Sequence, residues 1–185
     1  MAALVVYESM YGSAKAVAQA IAEGLAPAGA VYVYEVSALA KAPGGRTITI
    51  DLDLLVVGGP THAFGLSRPT TRQDAAKEGP GGSVISQGYG LRDWLNDLTL
   101  PLGGIRFAAF DTKVVTSRLP GSVAKAADKQ LRQLGCRAIA DPRTFGVIGK
   151  TEGLVPGELE KAHAWGAGLA GLVVSAGLRH RRASR

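Results

Sequence analysis

Apolar positions along the chain change their period at regular intervals. Ala3–Tyr7 is an unbroken apolar run, the pattern of a strand buried on both faces. From Ser13 to Leu25 the apolar residues fall at Val17, Ala18, Ile21, Ala22 and Leu25. That is helical spacing, closed by Pro27 and Gly29. Val31–Val36 alternates and is rich in β-branched and aromatic residues, so it reads as a second strand. Pro43-Gly44-Gly45 makes a loop. Leu54–Val57 is a third strand, stopped by Gly58-Gly59-Pro60. Thr61 to about Tyr89 is irregular, with Pro69, Pro80 and one helical turn around Thr71–Glu78. A loop this long in a compact domain is usually functional or mobile. Leu91–Leu98 predicts a short helix, Arg106–Phe110 a fourth strand and Val123–Leu134 a helix. Phe145–Ile148, beginning near Ala138, predicts the fifth strand. Glu158–Leu178 is the final helix, its apolar face running Leu159, Ala162, Gly166, Leu169, Ala170, Val173.

Strands alternating with helices imply a parallel sheet with helices on both faces, a doubly wound α/β domain of three layers. In such sheets ligands bind beyond the carboxyl ends of the strands, where the strand order reverses. The loops after strands one, three and four are therefore the places to look. The 185 residues suffice for one domain with a real core. The expected division is a domain over 1–178 and a basic tail over 179–185.

Composition and charge sharpen this picture. Hydrophobic residues at 46% and charged residues at 19% argue against disorder. The one cysteine, Cys136, permits no disulfide within the chain and reads as a small buried residue at a strand start, so a reducing, cytoplasmic setting is expected. No basic n-region precedes the first apolar run, and no run of 18 apolar residues exists, so neither a signal peptide nor a membrane span is expected. The net charge of +6 is uneven. Its last seven residues, R-H-R-R-A-S-R, hold four arginines, leaving 17 basic against 15 acidic residues, or +2, in the rest. Such a tail suits a solvated terminus or a docking patch for an acidic partner, and Arg-Arg-Ala-Ser also matches a short basophilic phosphorylation pattern at Ser184.

The first loop, E-S-M-Y-G-S-A, joins the end of a strand to the start of a helix. A helix N-terminus presents unpaired N–H groups and a partial positive charge, which suits a phosphate. Ser9 and Ser13 add hydroxyls, and Gly12 lets successive amides converge. The same residues also suit an ordinary strand–helix turn with Ser13 as cap. A P-loop is absent, and so is a dinucleotide fingerprint after strand one. After strand three, G-G-P-T-H-A-F-G would let a flat ligand approach the backbone. There Phe64 reads either as a ring contact or as core, and His62 either as a hydrogen-bonding group or as an exposed loop residue. After strand four, Asp111, Thr112 and Lys113 stand where a third ligand loop is expected, or form an ordinary turn.

Taken together, Y-E-S-M-Y-G-S-A-K-A, D-L-L-V-V-G-G-P-T-H-A-F-G and the ending G-E-L-E-K-A-H-A-W-G-A-G-L-A resemble the flavodoxin family over nearly the whole chain. The resemblance implies a five-stranded sheet in order 2-1-3-4-5 and bound FMN. By position Ser9, Met10, Tyr11, Gly12, Ser13 and Ala14 would hold the phosphate. Pro60, Thr61, His62, Ala63, Phe64 and Gly65 would border one side of the flavin ring, with backbone at Gly58-Gly59 or Pro60-Thr61 facing its reactive nitrogen. Asp111, Thr112 and Lys113 would border the other side. The family loop usually reads S/T-x-S/T-G-N-T, so Tyr11, Ser13 and Ala14 depart from it and at least one hydroxyl is missing. No aromatic lies between Asp111 and Gly121 to stack on the ring, and the chain is basic where the carriers are acidic. The implied activity is FMN-dependent electron transfer. The alternatives are an oxidoreductase acting on a quinone, a porphyrinogen or NAD(P)H, and a flavin-free binding module. The expected partner is a redox protein that the sequence does not identify. No nucleic-acid partner is expected. The apolar last helix and its basic end could also meet a membrane, although covering the sheet is the commoner use of such a helix.

Overall fold

A computed structural model describes residues 1–48, 52–61, 65–79, 82–101, 104–118 and 120–183, the last seven of these as backbone. The elements run β1 (Ala2–Tyr7), α1 (Ser13–Leu25), β2 (Ala30–Glu35), α2 (Val36–Lys41), β3 (Leu54–Pro60), α3 (Pro69–Glu78), α4 (Leu91–Asp97), β4 (Arg106–Val114), α5 (Val123–Gln133), β5 (Arg137–Ala138), β6 (Arg143–Val147) and α6 (Glu158–Ala183). All strands are parallel, in the order β2-β1-β3-β4-β5, with β6 also pairing β4.

The continuous apolar runs of β1 and β3 follow from burial on both faces. On one face Val6, Leu55, Val57 and Phe107 pack with Leu91, Trp94 and Leu95 of α4 and with Val123, Ala127 and Leu131 of α5. On the other, Val5, Val56, Ala108 and Phe110 pack with Val17 and Ile21 of α1 and Ala162, Leu169 and Val173 of α6. Gly24 and Gly166 let α1 and α6 touch backbone to backbone. A Cβ on Gly166 would lie 2.2 Å from the Ile21 carbonyl oxygen, and one on Gly24 2.1 Å from that of His163.

Four departures from the sequence pattern have local causes. The expected fifth strand is two pieces, because Pro142 cannot donate to the ladder. Phe107 faces Ala138 and Phe110 faces Arg143, a register slip of two residues. The single turn expected near Thr71–Glu78 is a full ten-residue helix, opened by Pro69 in its first turn and by Thr71 Oγ1 accepting from Arg68 N–H at 2.8 Å. Helix α2 starts at Val36, where the alternating segment ends, and is capped by Glu35, whose carboxylate accepts from Ala38 N–H at 2.8 Å. The final helix continues past Leu178 to Ala183. Cys136 is buried immediately before β5, and burial pushes its thiol up. Among the described residues no helix is long and apolar enough to cross a membrane, and no cluster of three metal-ligating side chains exists.

Candidate functional site

A cleft of about 390 Å³ opens at the carboxyl ends of β1, β3, β4 and β6. The first loop supplies Ser9, Met10, Tyr11, Ser13 and Ala14, and the end of β3 supplies Pro60 and Thr61. Thr112, Lys113 and Val114 of β4 follow, then Ser117 and Pro120 beyond it, and Val147, Gly149 and Lys150 at the end of β6. Helix α3 closes one side with Thr71, Asp74, Ala75 and Glu78.

The first loop has the geometry of an anion seat. Gly12 is the N-cap of α1 in the left-handed region (φ 106°), with no side-chain cap, and the space in front of its Cα is open. Ser13 is therefore the first helical residue and does not cap the helix. The first intrahelical bond runs from Ala16 N–H to Gly12 O at 2.9 Å, so the amides of Ser13 and Ala14 have no acceptor one turn back. Ser9 Oγ accepts from Gly12 N–H (3.2 Å) and from Lys15 N–H (3.3 Å). Both bonds use lone pairs, which leaves the Ser9 hydroxyl proton to donate into the cleft.

The loop is braced from outside. Ser86 N–H donates to Ser9 O (2.9 Å), Ile85 N–H to Met10 O (3.0 Å) and Ser9 N–H to Ser86 Oγ (2.8 Å). Met10, Ala75 and Val84 form a small separate core between this strap and α3. The Tyr11 hydroxyl donates to Ala75 O at 2.8 Å, and burial, then Glu78, push its phenol up. Behind the loop lies a buried polar cluster. Glu8 Oε2 accepts from Leu91 N–H (2.7 Å), and Arg72 donates to Ser67 Oγ (2.8 Å) and to Asp93 (2.7 Å). Burial pushes the Glu8 carboxyl up, with Ser67, Leu91 N–H and Arg72 opposing it and Asp93 adding to it.

Charges lining the cleft balance. Asp74 pairs with Lys77 at 3.6 Å, and Lys150 crosses to Glu78 at 2.6 Å, tying the β6 loop to α3. Lys113 Nζ donates to Gly121 O at 3.3 Å. Two acidic and two basic side chains thus line the cavity among the described residues.

The second and third loops are joined by Asp111. This fully buried carboxylate accepts at Oδ2 from Thr61 Oγ1 (2.8 Å), Ser122 Oγ (2.6 Å) and Ala124 N–H (3.1 Å). It knots the end of β3 to the start of α5 and does not line the cleft. Asp111, expected to border a ligand, is directed by its place on β4 into the α5 side. Thr61 N–H also donates to Thr112 O (2.8 Å). Gly58 and Gly59 are closely packed on the side where a Cβ would stand. A Cβ on Gly58 would lie 2.3 Å from the Phe110 ring, and one on Gly59 3.1 Å from Glu8 Cβ. Gly65 (φ +111°) lies beside Ser122 and Ala126, off the cleft wall. His62, Ala63 and Phe64 lie outside the described residues. The cleft therefore gathers Ser9, Met10, Tyr11, Ser13, Ala14, Pro60, Thr61, Thr112 and Lys113, with Gly12 in the loop itself.

Sequence reasoning missed the α3 wall and the β6 side. Helix α3 buries only Arg72 and Ala75, so it leaves no apolar stripe, and the Lys150–Glu78 pair spans 72 residues without a local signature.

A family model described as flavodoxin matches residues 5–165. The chain belongs to the flavodoxin family. Solved structures share the flavodoxin fold at low identity. A flavodoxin from the domain Archaea is 17% identical with a TM-score of 0.59, covering 94% of this chain and 99% of that one. Flavodoxin 1 from Bacillus cereus is 15% identical with a TM-score of 0.61, covering 95% and 98%. A flavodoxin, WrbA-like protein from Agrobacterium tumefaciens is 17% identical with a TM-score of 0.56, covering 94% and 98%. No curated protein matches by sequence. The five-strand order expected from the sequence is the observed one, with β6 added at the β4 edge.

Proposed function

We propose that this cleft binds FMN and that the protein is an electron-transfer flavoprotein. The observation that carries the reading is the uncapped start of α1, opening into a cleft that continues to the ends of β3 and β4. The residues fit a phosphomonoester: free amides at Ser13 and Ala14, a donating hydroxyl at Ser9, and Gly12 leaving the approach open. Ser13 adds a second hydroxyl at the cleft wall. The acidic groups nearby, Asp74 and Glu78, are each paired with a lysine, which limits repulsion of the phosphate. Pro60, Thr61, Thr112 and Lys113 would hold the ring end. Bound FMN would supply one- and two-electron redox chemistry, which no side chain offers by itself. The protein orients it, and the braced first loop spends little ordering entropy on binding.

Ala14 stands where the family usually has a hydroxyl residue, so the phosphate contact is reduced, by about 1 kcal/mol for one neutral hydrogen bond, and not abolished. Titration of the purified chain with FMN tests the reading. One tightly held, yellow flavin per chain is expected. Protein that stays colourless in excess FMN would leave only a flavin-free binding module.

One observation favours an oxidoreductase as second reading. The cleft extends past β4 to Val147, Gly149 and Lys150, and no aromatic of the β4 loop lines it. That leaves room beside a ring for a quinone, a porphyrinogen or a nicotinamide. Steady-state turnover with NAD(P)H and a quinone separates the two, since a carrier gives none.

A further inference from the structure

Lys150 stands on firmly held backbone but is only loosely paired. It lies in the reverse loop after β6, which Ile148 N–H closes on Gly153 O (2.9 Å) and Val155 N–H on Gly146 O (3.0 Å). Val147 and Leu154 form an antiparallel bridge at the base of that loop. From there Lys150 Nζ donates to Glu78 Oε2 at 2.6 Å, the two side chains being 71% and 53% exposed. An ion pair this exposed contributes little, and parting it leaves neither group buried without a partner.

The same lysine stands beside the first loop. It lines the cleft with Ser9, Met10, Tyr11, Ser13 and Ala14. Its charge opposes, on the Tyr11 phenol, the upward push of burial and Glu78. The donors that the loop turns to the cleft are neutral: the Ser13 and Ala14 amides and the hydroxyls of Ser9 and Ser13. A phosphomonoester is close to doubly charged at neutral pH, whereas a helix start supplies about half a positive charge. Ala14 leaves the seat one hydroxyl short as well. Among the described residues the cations lining the cleft are Lys113 and Lys150, and Lys113 is drawn to Gly121 O (3.3 Å), ahead of α5.

We propose that Lys150 exchanges Glu78 for the phosphate of the ligand, and that Glu78 thereby sets the affinity of the cleft for phosphorylated ligands. The inference rests on the cleft holding a phosphomonoester. A bridge that only fastens the β6 loop to α3 has a different signature. Breaking it from either side would loosen the same two walls, and both changes would move affinity in one direction. Exchange gives opposite signs, because Lys150 is then a ligand of the phosphate and Glu78 its competitor.

The test is fluorescence titration of the full chain with FMN and with riboflavin, which lacks the phosphate. Lys150→Ala should weaken FMN about tenfold and leave riboflavin within about twofold. Glu78→Gln should tighten FMN about threefold, again with riboflavin unmoved. Lys150→Arg keeps the charge and should hold FMN within about threefold of the parent. Most of the Glu78→Gln gain should vanish in the double variant with Lys150→Ala, since direct repulsion of the phosphate is all that remains to be relieved. Lys129→Ala removes the same charge from an exposed position of α5 outside the cleft and should change neither ligand. Loss of FMN affinity in both Lys150→Ala and Glu78→Gln overturns the exchange, as does a full Glu78→Gln gain without Lys150 or an equal loss in Lys129→Ala. A parent that prefers FMN, with that preference intact in Lys150→Ala, overturns it and leaves the phosphate seat standing. A parent that binds both ligands equally, or neither, overturns the seat and the exchange together.

Discussion

Replacing Asp111 with alanine should loosen the junction on which two walls of the cleft depend. Oδ2 is the acceptor for three donors: the Thr61 hydroxyl, the Ser122 hydroxyl and Ala124 N–H. The hydroxyls can turn elsewhere, but a buried backbone donor left without an acceptor costs about 1–3 kcal/mol. Ser122 also caps α5 by accepting from Lys125 N–H (3.1 Å). Losing the carboxylate that orients its hydroxyl weakens a cap worth about 0.5–2 kcal/mol. Opposing these costs, the substitution removes a buried charge whose Oδ1 has no partner. The balance is a loss of about 2–4 kcal/mol. Asp111→Asn keeps an acceptor oxygen for the three donors, loses the charge assistance, about 1 kcal/mol, and puts an amide NH2 where Oδ1 has no partner. Urea unfolding without flavin reads both values free of ligand stabilisation. The reasoning is refuted if Asp111→Ala lies within about 0.5 kcal/mol of the parent.

Other substitutions probe the remaining links. Ser9→Ala removes both the brace of Gly12 and Lys15 N–H and the donor into the cleft, so FMN affinity should fall roughly tenfold or more in fluorescence titration. Ala14→Ser restores a hydroxyl at the start of α1 and should tighten FMN about fivefold; unchanged affinity would place the phosphate elsewhere. Gly58→Ala drives a methyl into the Phe110 ring at 2.3 Å and should cost about 1–3 kcal/mol in urea unfolding. Burial raises the Glu8 carboxyl above its ordinary 4.5. Its contribution to stability is therefore full below that value and lost as pH rises through the higher folded-state value. The stability of Glu8→Gln relative to the parent should accordingly rise as pH rises above the ordinary 4.5 in urea unfolding, and a constant difference would refute the assignment.

The layers of this fold were legible because continuous apolar runs such as Leu54–Val57 and the 3.6-residue spacing of α1 state burial directly. The first loop was legible as a polar, glycine-containing break between those two patterns, although Ser13, which the sequence offers as a cap, is the first helical residue and leaves the start uncapped. What escaped was set by contacts distant in sequence. Gly58 and Gly59 looked like an approach for a ligand, yet Phe110 and Glu8 occupy the space before them. Asp111 looked like a cleft residue, yet Thr61 and Ser122 claim it. Helix α3 carries too little apolar patterning to announce itself, although it walls the cleft and meets Lys150 across it.

The central claim is that amides at the start of α1 seat a phosphate. Calorimetric titration with FMN and with riboflavin tests it most directly, because the two ligands differ only in that group. Seating by two amides and a hydroxyl predicts FMN binding roughly a hundredfold tighter or more. Equal affinity for the two ligands would contradict it.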